Sequence, residues 1–267
     1  MTTLTAYIDG IGLLGPGLAD WQQAAAVLSA TSAYAFATAV MPVPASLPAA
    51  ERRRCGPLVK LTLAVGHAAA LAAEAPVASL PLVFSASGGD GVNCHELCTM
   101  LASNDRQISP TRFHNSVHNA APGYWSIATG AMAPSSVLCA HDGSFGAGLL
   151  ESLVQLTVEQ TRVLLIACDT RYPAPLGEVR EVSGEFGIAL VLAPQQGPHS
   201  LAQISVTLAA GAASTLEDPA LEQLRMTIPA ARCLPLLQSL ARGETGAAVT
   251  LDYLDNTRLH VEVTACS

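Results

Sequence analysis

The residues best equipped for chemistry gather between positions 113 and 152, around the run Cys139-Ala140-His141-Asp142-Gly143-Ser144. The apolar residues before this run read as a short strand. The glycine-spaced apolar residues after it, as far as Ser152, read as a helix. A sharp strand-to-helix turn aims unpaired N–H groups and the positive end of the helix dipole at whatever precedes the helix, which stabilises a thiolate or an oxyanion. Acyl transfer or thioester hydrolysis through Cys139 or Ser144, with His141 or His114 as base, is one chemistry the segment permits. Two features oppose it. Cys139 closes an apolar run, so its thiol is expected to face the core without activation. His141 and Asp142 are chain neighbours whose side chains are expected to diverge.

Other clusters carry less. His114 and His118 stand four residues apart, a spacing that shares one helix face. Pro110 and Pro122 bracket them and no glutamate lies between, so no zinc site is expected. Cys94-His95-Cys98 has no second ligand pair at finger spacing. Ser85 to Gly91 is glycine-rich but lacks the Gly-Lys-Ser/Thr ending of a phosphate loop. Neither a metal nor an organic cofactor is expected. Arg52-Arg53-Arg54 reads as a solvated turn or as a docking patch for an acidic carrier protein.

The elements that must hold these residues alternate between strand and helix. Strands are expected over 5–12, 80–86, 136–139, 161–169, 185–193, 200–209, 248–254 and 258–264, the last two joined by the hairpin turn Asp255-Asn256. Helices are expected over 18–28, 49–73, 92–102, 218–226 and 230–242, with another before the short strand and one after it. The runs at 80–86, 161–169 and 185–193 are apolar almost without interruption, as in strands covered on both faces. An α/β fold follows, with helices layered on a mostly parallel or mixed sheet.

Bulk properties narrow the function classes. Of the 267 residues, 50% are hydrophobic and 13% charged, ample for a large core, and the scarcity of aromatics (4%) implies closely approaching backbones. A net charge of −8 with one lysine, Lys60, excludes the basic surface that nucleic acid or an anionic membrane requires. The N-terminus lacks the pattern of a signal peptide and no apolar run spans a bilayer, so a cytoplasmic location is expected. The seven cysteines are odd in number, without framework spacing, and are expected to be small buried hydrophobes in a reducing compartment.

Taken in order, several segments resemble the β-ketoacyl synthases, and in particular their short relatives in aryl polyene pigment clusters. Ile8-Asp9-Gly10-Ile11-Gly12 is similar to the family's opening strand and glycine turn, and Trp21 to an early helix tryptophan. Ser85-Ala86-Ser87-Gly88-Gly89 resembles its second strand and turn. Asn119-Ala120-Ala121-Pro122-Gly123, Thr129-Gly130 and Ala133-Pro134-Ser135 resemble the run before the elbow, and Gly184 to Leu192 the strand that follows it. The resemblance covers about residues 4–194. It implies a thiolase-like layered fold with a truncated C-terminal half. Residues 1–197 would form the synthase-like N-terminal half, and 198–267 a shortened set of strands and helices completing the same domain.

The departures shape the functional expectation. Aligning the family's elbow glycine with Gly143 places Ala140 at the nucleophile position, and a one-residue slip places His141 there; neither forms an acyl thioester. No lysine follows Lys60, and only His199 and His260 remain in the second half. The elbow of Ala140, His141 and Gly143 thus reads as vestigial, with no catalytic residue assigned. The resemblance implies a chain-length-factor-like subunit of type II polyketide, aryl polyene or fatty-acid-like biosynthesis. Such a subunit pairs as a heterodimer with a full-length ketosynthase and lies beside acyl chains carried on acyl carrier protein. Asn119, Tyr124, Trp125 and Met132 are the candidate partner interface, with burial in the chain's own core as the open alternative.

Overall fold

The computed structural model describes residues 2–266. In chain order the elements are β1 (Leu4–Leu14), α1 (Trp21–Leu28), α2 (Ala49–Arg54), α3 (Pro57–Ala72), β2 (Leu82–Ser85), α4 (Gly91–Ala102), α5 (Pro110–His114), α6 (Ala120–Thr129), β3 (Ser135–Leu138), α7 (Ser144–Glu159), β4 (Val163–Asp169), α8 (Leu176–Val179), β5 (Phe186–Ala193), β6 (Ala202–Ala209), α9 (Pro219–Thr227), α10 (Leu234–Arg242), β7 (Ala247–Leu254) and β8 (Thr257–Ala265). The strands make one sheet in the order β3-β2-β4-β5-β1-β6-β8-β7. Of the two sheet forms expected, the mixed one is found. β2 pairs in parallel with β3 and β4, joined by helical crossovers. The other neighbours are antiparallel.

Side-chain alternation builds three layers. Along β4, Leu164, Ile166 and Cys168 join a core with α3 and α6, whereas Leu165 and Ala167 join the opposite core with α1, α7 and α10. All seven β4 residues and all eight β5 residues are buried, as their unbroken apolar runs require. α3 lies so near β1 that a Cβ at Gly12 would meet the Val65 carbonyl. Beyond β1 the sheet is covered on one face only. Ile204, Val206, Leu251, Leu259, Val261 and Val263 point to the α10 side, and the residues between them are partly or fully exposed.

Three expectations change. The helix expected over 49–73 is two helices, α2 and α3. Cys55 is extended and Gly56 caps α3 with Pro57 in its first turn, because proline lacks an N–H and disfavours helical backbone before it. The helix expected before β3 is likewise α5 and α6, so His114 and His118 share no helix face. Cys55, Cys168 and Cys233 are buried as expected, but Cys94, Cys98 and Cys139 are exposed.

Candidate functional site

The elbow sits between β3 and α7. After Leu138, Cys139 and Ala140 lead into one turn of 3-10 helix, His141–Gly143, and α7 begins at Ser144. His141 takes the left-handed φ of 50°, so the strained backbone falls there, while Ala140 keeps a φ of −135°. Ser144 fastens the turn. Its Oγ accepts the Ala140 N–H at 3.0 Å and donates to the His141 carbonyl at 2.7 Å, and Ser85 Oγ donates to the Ser144 carbonyl at 2.5 Å. With its hydroxyl buried and bonded to backbone, Ser144 acts as a staple rather than a nucleophile.

Cys139 does not face the core. It is exposed, and its Sγ lies 3.5 Å from His118 Nδ1, so the imidazole that meets the thiol is neither His141 nor His114. Partial burial, and then the charge of Asp169, push the thiol up from its ordinary range, which keeps it protonated at neutral pH. His114 instead packs edge-on to Tyr124 with ring centroids 6.3 Å apart. His141 and Asp142 do not diverge as expected. The left-handed turn brings His141 Nδ1 to 3.4 Å from Asp142 Oδ1, with both side chains in solvent. The apex thus offers an imidazole and a carboxylate, without an ionised thiol or an unengaged hydroxyl.

The second half of the chain closes over this turn. A Cβ at Gly143 would fall on the Tyr253 carbonyl oxygen, so only glycine lets the β7–β8 hairpin seat there. Arginines clamp the seat. Asp142 meets Arg180 and Arg232, each at 3.1 Å, and Asp252 meets Arg232 at 2.8 Å and Arg225 at 3.3 Å. Arg225 also forks onto both oxygens of Glu222, at 2.6 and 2.8 Å. A cleft of about 390 Å³ remains, lined by His141, Asp142, Arg232, Tyr253 and Arg258 among others. Beneath the elbow, buried Asp169 accepts N–H groups from Ser87 and Ala230, both at 2.8 Å, and ties the halves together. Burial pushes its carboxyl up to about 6, against the pull of those donors and of Arg180.

The expected interface residues divide. Tyr124 and Trp125 are each 1% exposed within the chain's own core, Tyr124 donating to Asn115 Oδ1 and Trp125 lying against His67. They are therefore corrected from the surface set to the core. Asn119 is exposed and Met132 is 94% exposed. Among the described residues the outer edge of β3 pairs with no strand. Phe113, Ile127 and Val158 on the helices before and after it, and Val117 in the turn between α5 and α6, add exposed apolar surface. Arg53 and Arg54 are exposed at the end of α2, where Arg54 pairs with Glu51 at 3.2 Å. Among the described residues no group of three or more His, Cys, Asp or Glu side chains is placed to hold a metal ion. No helix there is long and apolar enough to cross a membrane.

Arg180, Arg232 and Asp252 were invisible as site residues in the sequence, and so was the contact of His118 with Cys139. Their contacts join positions 20 to 90 residues apart, so no local spacing announces them.

Solved structures share this arrangement. One is a ketosynthase (ApeO) in complex with its chain length factor (ApeC) from Xenorhabdus doucetiae: 23% identity, TM-score 0.73, covering 97% of this chain and 99% of that chain. The ishigamide ketosynthase/chain length factor matches at 14% identity and TM-score 0.75 over 99% of this chain and 100% of that one. A type II polyketide synthase acyl-carrier protein in complex with its hexaketide-bound ketosynthase matches at 11% identity and TM-score 0.75, with the same coverage. At these identities the likeness is one of fold, the thiolase-like α/β architecture. No curated protein sequence matches the chain. The family model for the β-ketoacyl synthase N-terminal domain matches residues 20–254, from the first helix through the elbow to the hairpin that covers it, and the chain belongs to the β-ketoacyl synthase family.

Proposed function

We propose that this chain is a non-catalytic, chain-length-factor-like subunit that pairs with an active, full-length ketosynthase in type II polyketide or aryl polyene biosynthesis. The observation that carries the reading is the open edge of β3 beside an elbow whose apex is Ala140 and His141. An unpaired strand edge, with Met132 exposed just before the strand and Phe113, Val117 and Ile127 exposed in the segment leading to it, is a surface that a partner strand and its helices can cover. The chain supplies shape on its side of that contact and the partner supplies the reacting thiol. The residues from 198 onward complete the same domain by extending the sheet from β1 and seating on the elbow.

Two further points support it. Each matched chain in the two ketosynthase/chain-length-factor structures is covered at 99% or more, so the likeness of fold runs over the whole of those chains. Arg53 and Arg54, exposed on a chain with net charge −8, suit an acidic acyl carrier protein that brings the acyl chain. A cytoplasmic heterodimer follows from this role.

The alternative, a small acyltransferase or thioesterase, needs Cys139 or Ser144 beside His141 or His114, and neither pairing is formed. Co-expression with the ketosynthase encoded nearest to this chain, followed by size exclusion, tests the proposal. A stable one-to-one complex that elongates malonyl thioesters, with activity lost on mutating the partner's cysteine, is expected. Two monomers at concentrations of tens of micromolar, or elongation by this chain alone, would overturn it.

A further inference from the structure

The face of the sheet opposite α7 holds a nucleophile–base contact that the elbow does not use. Ser46, in the turn before α2, places its Oγ 3.2 Å from His67 Nε2 on α3. The ring of His67 rests on buried Trp125, centroids 4.9 Å apart and planes tilted by 37°, which limits the orientations the imidazole can take. Pro42, Val43, Leu63 and Ala64 wall a cleft of about 280 Å³ over this pair. Lys60, the chain's single lysine, is the one charged residue in its lining. A hydroxyl hydrogen-bonded to an oriented imidazole in an apolar cleft is the arrangement that activates a serine, and a nearby cation matches the charge that develops on a carbonyl oxygen.

We propose that, although the chain takes no catalytic part in elongation, Ser46 and His67 form an acyl-ester hydrolase site for small apolar acyl groups, independent of the elbow and of pairing with a ketosynthase. Ser46 Oγ attacks the ester carbonyl carbon while its proton passes to His67 Nε2. The bond from that carbon to the alcohol oxygen breaks, and the alcohol leaves with the proton. Water then attacks the acyl-serine, yields a proton to the same nitrogen, and Ser46 recovers that proton as the acid departs. Partial burial lowers the His67 pKa, so the ring is neutral and ready to accept a proton at pH 7.

The test uses the purified full chain with p-nitrophenyl butyrate, and separately a fluorophosphonate probe with peptide mapping. Saturable hydrolysis and labelling at Ser46 are expected. Ser46→Ala, in an exposed position where folding is undisturbed, should lower kcat/KM by about 100-fold or more, the usual reach of general acid–base catalysis. His67→Gln should act similarly and abolish the pH dependence below neutrality. Replacing the exposed thiols together, as Cys94→Ala, Cys98→Ala and Cys139→Ala, excludes hydrolysis by an exposed thiol and should change nothing. Absence of Ser46 labelling, or hydrolysis that survives Ser46→Ala, would overturn the proposal while leaving the pairing with a ketosynthase untouched.

Discussion

The sheet ends in two edges that are treated in opposite ways. At β7, the segment before α9 lies along the strand: the Ser214 N–H donates to the Thr250 carbonyl at 2.8 Å, and the Thr250 N–H donates to Ser214 Oγ at 2.9 Å. The inner side of the same hairpin is pressed onto Gly143 and clamped through Asp252. At β3 nothing among the described residues fills the corresponding positions, and the nearby side chain of Met132 is almost wholly in solvent. One edge is finished by the chain itself and the other awaits something else. Unfinished edges invite association, so selection normally blocks them. Leaving one bare beside exposed apolar residues is what a subunit would do.

If that contrast is real, mutations at the two edges should differ in kind. The largest effect is expected from Asp252→Ala. It takes one carboxylate from Arg225 and Arg232, whose side chains are 5% and 13% exposed and which keep Glu222 and Asp142, and should lower stability by about 2–3 kcal/mol in urea unfolding of the isolated chain. Gly143→Ala forces the hairpin off the elbow and should cost about 1–3 kcal/mol by the same measurement.

The buried tie at Asp169 adds a pH signature. Its carboxyl holds a proton more tightly folded than unfolded, so the stability it contributes is fully present below the ordinary carboxylate range and is lost as pH rises through about 6. Stability should fall by about 2–3 kcal/mol as pH rises from about 4 to about 6. Asp169→Asn should flatten that slope, read from unfolding midpoints across the interval. Ser214→Ala, which removes one acceptor at the closed edge, should cost about 1 kcal/mol. At the open edge, Met132→Asp should change the isolated chain by less than about 0.5 kcal/mol. The same variant should abolish co-elution with a ketosynthase, and an unaffected complex would remove Met132 from the contact.

Much of the fold was legible because burial pattern and strand identity coincide. β4 and β5 are apolar in almost unbroken runs and are buried at every residue, and Gly12 inside β1 and Gly143 at the elbow mark places where backbones touch. What the sequence hid was relational. A proline at position 57 was enough to show where a helix begins, yet the alanine- and leucine-rich residues around it masked the break. Tyr124 and Trp125 looked equally suited to surface and core, because a large aromatic residue favours either. His118 was conspicuous for its spacing from His114, whereas its actual contact is Cys139, brought near by the pairing of β2 with β3. The arginine clamp could not be read at all, since like-charged residues scattered over 180–258 carry no sign of the carboxylates they share.

The brevity of β3 has a consequence for how this molecule tells its own kind from another. Four residues expose only two outward N–H groups and two outward carbonyls, enough for about four inter-chain bonds. Every polypeptide has the same atoms to offer in return, so the main chain can add adhesion but no discrimination between a twin and a foreign mate. Recognition must then be written in the side chains that ring the strand, and a handful of exchanges among them would suffice to convert an obligate couple into a self-paired one.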